Sequence, residues 1–142
     1  MSSNRLSAGA AILVVSLALS VAADPPIVQG APTADKGVET VMQEAIDLDG
    51  EIPGMGSRQL RMRLITIQPG GHISVHGHRN RPAAFYVIQG ATTVMYGDGT
   101  VKRFVAGSMG RANRKTVHWH RNNEKQPVVL VASDIFQQLN DR

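Results

Sequence analysis

Two histidines one residue apart, His76 and His78, head an apolar run in "HGHRNRPAAFYVIQG", and a second such pair, His118 and His120, follows in "HWHRN". On an extended strand, side chains two apart share a face with their bases about 6 to 7 Å apart, so the two imidazoles can converge on one metal ion at about 2.0 to 2.2 Å. Cysteine is absent. That excludes a disulfide framework, a thiolate metal site, a cysteine nucleophile and a lipidated anchor, and leaves nitrogen and oxygen as the only metal ligands. A solvent-facing strand can carry the same alternation, so the pairs need support from the elements that would hold them.

Those elements read as strands. In "QLRMRLITI", Leu60, Met62 and Leu64 alternate with Arg61 and Arg63, the period-2 pattern of a half-buried strand. "FYVIQG", "TTVMYGDG", "VKRFVAG" and "PVVLVASDIF" are further β-prone runs, separated by Gly90, Gly97-Asp98-Gly99, Gly107 and Asn122-Asn123. Only Val38 to Ile46 competes as a helix. With 142 residues, 42% hydrophobic and 18% charged, the chain suits one folded domain. Many short strands with regular turns predict an all-β sandwich or barrel over residues 37–142.

The N-terminus reads as a targeting segment. Ala8 to Ala23 is an uncharged, apolar stretch of 16 residues after the basic Arg5, ending in Val21-Ala22-Ala23. It is shorter than the roughly 20 residues a membrane span needs, and it ends in small residues. Residues 1–23 are therefore expected to be a signal peptide cleaved near Ala23, giving a periplasmic or secreted protein without stable membrane insertion. The following "DPPIVQGAPTADK", residues 24–36, reads as a flexible tail.

At this point the motifs resemble a known family. Gly70, His76, His78 and Gly90 fall at the spacing of the first cupin motif, which is glycine, five residues, His-x-His, a few residues, a glutamate, six residues and glycine. Gly107, His118 and Asn122 match the second. Residues 58–136 are similar to small single-domain bacterial cupins, which implies a jelly-roll barrel in which His118 joins His76 and His78 in a three-histidine site with open positions. That site would hold a divalent transition metal, Fe, Mn, Co, Ni, Cu or Zn. Three departures stand out: Asn113 for a proline, Lys115 for a glycine, and Ala83 for the motif's glutamate. Counting by twos from Ala83, Phe85 and Val87 would line the interior and Tyr86 would face outward. The resemblance also implies a homodimer, with the apolar residues of Val38 to Leu48 serving as an added strand.

Other residues carry chemistry in more than one way. By parity His120 shares the face of His118, as a fourth ligand, a base, a proton shuttle or a packed histidine. His72, beside Gly70 and Gly71, reads as surface in a turn. Arg63 and Arg81 can clamp a carboxylate by a bidentate fork, although an exposed stripe explains them too. Asp49 in "DLDGE" hints at a calcium loop, but its spacing is wrong. Between Ile52 and Asn123 eleven basic residues face one acid, Asp98, so no carboxylate in that span replaces the missing ligand. This local positive charge favours a small anionic or enolisable ligand. Nucleic acid is disfavoured by the export signal and by the scarcity of aromatics, 4% of the chain. Three activities follow from the resemblance: a metal-dependent dioxygenase-like oxidoreductase, a redox-neutral isomerase or lyase, and a non-catalytic ligand- or metal-binding module.

Overall fold

Alternating and β-branched runs fold here as eight strands in a computed structural model that describes residues 30–137. They are β1 (Lys36–Asp47), β2 (Arg58–Gly77), β3 (Ala83–Gln89), β4 (Ala91–Tyr96), β5 (Val101–Val105), β6 (Met109–Ala112), β7 (Val117–Arg121) and β8 (Val128–Gln137). Residues 1–23, expected to be a signal peptide, and most of the tail lie outside the described residues. Among the described residues no helix is long and apolar enough to cross a membrane.

All pairings are antiparallel, in the order β5-β4-β7-β2-β8-β3-β6, and β1 pairs with β2 beside this path. The sheet rolls until its two ends meet: the Phe85 ring on β3 packs against Phe104 on β5 at 5.0 Å, and Val87 exchanges backbone hydrogen bonds with Gly107 and Ser108. The result is a nearly closed jelly-roll barrel filled by Ile65, Ile67, Phe85, Val87, Val94, Val128 and Leu130. At about 25 cal/mol per Å² of apolar surface removed from water, these side chains supply most of the driving force for closure.

One alternative falls away and three readings need revision. Val38 to Ile46 is strand, because β2 offers a long open edge and Val38, Thr40 and Val41 favour extended backbone. The alternation in β2 has the right period but an unexpected face: Leu60 and Met62 are exposed, while Arg61 and Arg63 point inward to the buried Asp134 of β8. His72 belongs to β2, where it pairs with Arg121, because Gly70, at φ 73°, bends the strand without ending it. Finally, the tail ends sooner than its composition suggests. Pro32 and Asp35 bond to β2 and strap residues 30–35 onto the barrel.

The second-motif turn survives its unusual residues. Asn113 Oδ1 accepts hydrogen bonds from the Lys115 N–H and the Thr116 hydroxyl, so a side chain builds the turn that proline would impose. Beyond β7, the fully buried Asn122 ties the loop down: its amide donates to the Ile67 and Gln126 carbonyls, and its carbonyl accepts from the Glu124 N–H.

Candidate metal centre

The end of β2 and the adjacent β7 bring three imidazoles together. His76 and His118 stand opposite each other in the β2–β7 register, and His78 continues the ladder by donating its N–H to the Thr116 carbonyl. His78 Nε2 lies 3.0 Å from His118 Nε2, which lies 3.1 Å from His76 Nε2. Their ligand atoms all fall within 4.8 Å of one another.

Hydrogen bonding decides which lone pairs face inward. His76 Nδ1 donates to the Ser74 carbonyl at 2.8 Å, and His78 Nδ1 to the Arg81 carbonyl at 2.7 Å. A carbonyl can only accept, so both rings carry their proton on Nδ1 and turn a bare Nε2 toward His118. One proton on His118 can bridge a single pair at a time, whereas a cation satisfies all three nitrogens together. The two spacings, 3.0 and 3.1 Å, are within the range at which His76, His78 and His118 would share one ion. His118 Nδ1 is buried without a hydrogen-bond partner among the described residues.

Burial keeps these rings neutral. Desolvation lowers the His78 pKa to about 4 and that of His120 to about 3, and it also depresses His76 and His118. A neutral imidazole is the form that binds a metal. His120 stands outside the ligand cluster, its ring centroid 4.9 Å from that of His118 and its Nδ1 3.5 Å from the Thr92 hydroxyl.

The imidazoles open onto a cavity of about 250 Å³ whose lining includes Arg63, Arg81, Ala83, Phe85, His120 and Asp35. Phe85 is 8% exposed and T-stacks on His120 at 5.2 Å, so it is a wall of the cavity and part of the core at once. Arg63 and Arg81 are already engaged, at 3.4 and 3.6 Å from Asp134 Oδ2, while Arg61 grips the same carboxylate with two bonds of 3.0 and 2.9 Å. Burial pushes the Asp134 carboxyl up, but the Arg61 hydrogen bonds and the charges of Arg63 and Arg81 outweigh it and hold the group below its ordinary range. Three guanidiniums share one carboxylate, two of them, Arg63 and Arg81, on the cavity wall, and Arg63 Nε is buried with no hydrogen-bond partner among the described residues.

Two acids escape a reading confined to residues 52–123. Asp134 lies directly across from both Arg61 and Ala83 in the β8 registers. A glutamate at 83 would therefore face a buried carboxylate. In the sequence, only the odd polar residue in "VVLVASDIF" hints at an inward-pointing charge. Asp35 has no local signal at all.

A rolled antiparallel barrel with histidines gathered inside it is the class of protein that fold and site define together. The cupin domain family matches residues 63–134, and the chain belongs to it. Among curated proteins no relative matches. A Klebsiella pneumoniae protein with a double-stranded beta-helix domain is similar at 20% identity over 87% of this chain and 93% of its own, with a TM-score of 0.54. The Cnp3 cupin domain of Schizosaccharomyces pombe is similar at 14% identity over 75% and 69%, TM-score 0.54. A Bacillus halodurans protein shares 23% identity over 58% of this chain, which spans 66% of that protein, TM-score 0.53. At such identities the likeness shows the fold.

Proposed function

We propose that this chain is an exported small cupin in which His76, His78 and His118 hold a divalent transition metal, Fe, Mn, Co, Ni, Cu or Zn, and that it works as an oxygen-dependent oxidoreductase on a small anionic or enolisable compound. The observation that carries the reading is the convergence of three Nε2 atoms on one point that opens into a basic cavity. Three neutral imidazoles leave the ion its full charge, which favours an anionic ligand on the open side. Bound there, such an ion supplies Lewis acidity and, where it is redox-active, electrons for oxygen chemistry.

The protein groups have separate tasks. Arg63 and Arg81, whose positive charge Asp134 only partly balances, receive the anionic end of the ligand. Phe85 shapes the wall and keeps water out of the inner cavity. His120, neutral through burial, passes a proton by exchanging it between its two nitrogens. Export rests on the apolar stretch Ala8 to Ala23. A homodimer is supported by β1, a 12-residue strand exposed almost throughout, whose outward residues continue an apolar face across β2 and β3.

Metal analysis of residues 24–142, purified from the exported compartment without chelator or affinity tag, tests the reading beside His118→Ala. Near-stoichiometric metal in the wild type, lost in the variant, is expected, followed by oxygen uptake with small carboxylic acids or diketones. No metal in either protein after reconstitution with Fe, Mn, Cu and Zn overturns it. Metal without oxygen uptake moves the activity to the redox-neutral or purely binding class.

A further inference from the structure

Immediately before His76, β2 carries a bulge. Ile73 pairs with His120 and His76 with His118, so three steps on β2 match two on β7 and one residue is in excess. The Ser74 and Val75 N–H groups are thereby released from the β7 ladder, and buried or half-buried donors need acceptors. The N-terminal strap supplies both: the Pro32 carbonyl accepts from Val75 N–H at 2.8 Å, and Asp35 Oδ1 accepts from the Ser74 N–H and the Ser74 hydroxyl at 2.7 Å each. The carbonyl of that same Ser74 holds His76 Nδ1. A continuous chain of contacts therefore runs from the strap to the orientation of a metal ligand.

The second observation is one of charge. Among the described residues the cavity is lined by four histidines, Arg63 and Arg81, and Asp35 is the one acidic group on its wall. Its Oδ1 is held by Ser74, and Oδ2 has no hydrogen-bond partner among the described residues.

We propose that Asp35, delivered by a strap outside the family's matched region, is a positioning residue and counter-charge of the metal centre: it locks the bulge that aims His76 and supplies negative charge on a cavity wall where Ala83 offers only a methyl group. The inference rests on the metal reading above. Asp35→Asn keeps an acceptor for Ser74 and removes the charge, whereas Asp35→Ala removes both, so the two substitutions separate the roles. Asp47→Asn, at the far end of β1 where Asp47 accepts from Gln59, controls for net charge.

The experiment is competition of the full mature chain with a chromophoric chelator for Zn²⁺. Attraction between a divalent ion and a carboxylate at a solvent-exposed mouth makes Asp35→Asn about 3- to 10-fold weaker, an effect that shrinks as salt rises. Asp35→Ala is expected to be weaker still, and Asp47→Asn to match the wild type. In the metal-free protein, faster amide exchange at Ser74 in Asp35→Ala reports the unlocked bulge independently of metal. Wild-type affinity in both Asp35 variants, with Ser74 exchange unchanged, overturns the proposal while leaving the three-histidine site standing. Failure of the wild type to bind Zn²⁺ overturns both.

Discussion

His78, His118 and His120 are neutral at physiological pH because each sits where charge is poorly solvated. Their folded pKa values lie below the unfolded value of about 6.5, so the unfolded chain binds more protons in that window and stability rises with pH. The stabilisation is complete above pH about 6.5 and is lost as pH falls toward the folded values, near 4 for His78 and 3 for His120. Thermal melts of the metal-free protein should drop by roughly 10 °C or more between about pH 7 and pH 5 and stay flat from about pH 7 to pH 8. A melting temperature independent of pH across the acid window would contradict buried neutral histidines. Asp134 is the corresponding weak point among the acids. Asp134→Asn leaves Arg61, Arg63 and Arg81 facing one another without a counter-charge, and about 2 to 4 kcal/mol of stability should be lost in denaturant titration, less at high salt because the arginines are partly exposed.

At the scale of the elements, the barrel closes through one tight approach. Gly110 on β6 lies flat against the Phe85 ring of β3, and a Cβ at that position would run into the ring itself. Phe85 cannot swing away freely, because Phe104 and His120 hold its other sides. Gly110→Ala should therefore cost about 1 to 3 kcal/mol and narrow the cavity, whereas the double variant Gly110→Ala with Phe85→Leu should regain part of the loss. An alanine variant with an unchanged melting temperature would show that the β3–β6 contact is looser than the packing requires.

For the whole molecule, the outer face of the sheet is the feature that sets behaviour in solution. Met42, Ile46, Leu60, Met62, Tyr86 and Ile88 are all exposed, and the register places Met42 beside Leu64 and Ile46 beside Leu60. Exposed apolar area on this scale marks an interface more often than a bare surface. The proposed homodimer buries it. Wild-type protein should sediment as a dimer, and Met62→Glu as a monomer with little change in the metal site, since Met62 points away from the cavity. A monomeric wild type at micromolar concentration, or a Met62→Glu variant that remains dimeric, would remove this face from the assembly.

Much of this protein is determined locally. Alternating runs and glycine turns set an all-β fold and put His76 and His78 on one face, because strand periodicity is a property of neighbours along the chain, while His118 is added by the resemblance to the cupin motifs. Missing from that reading was which face of β2 turns inward. Hydrophobicity favours Leu60 and Met62 inside, and only Asp134, more than seventy residues away on β8, reverses the choice by pairing with Arg61 and Arg63. Asp35 belongs to the same class. Nothing beside it in sequence sets it apart, and its role depends on a bulge on another strand whose freed N–H groups it happens to satisfy. Periodicity can be read from one segment, but the neutralisation of a buried charge and the partner of an unpaired donor depend on segments that meet only after folding.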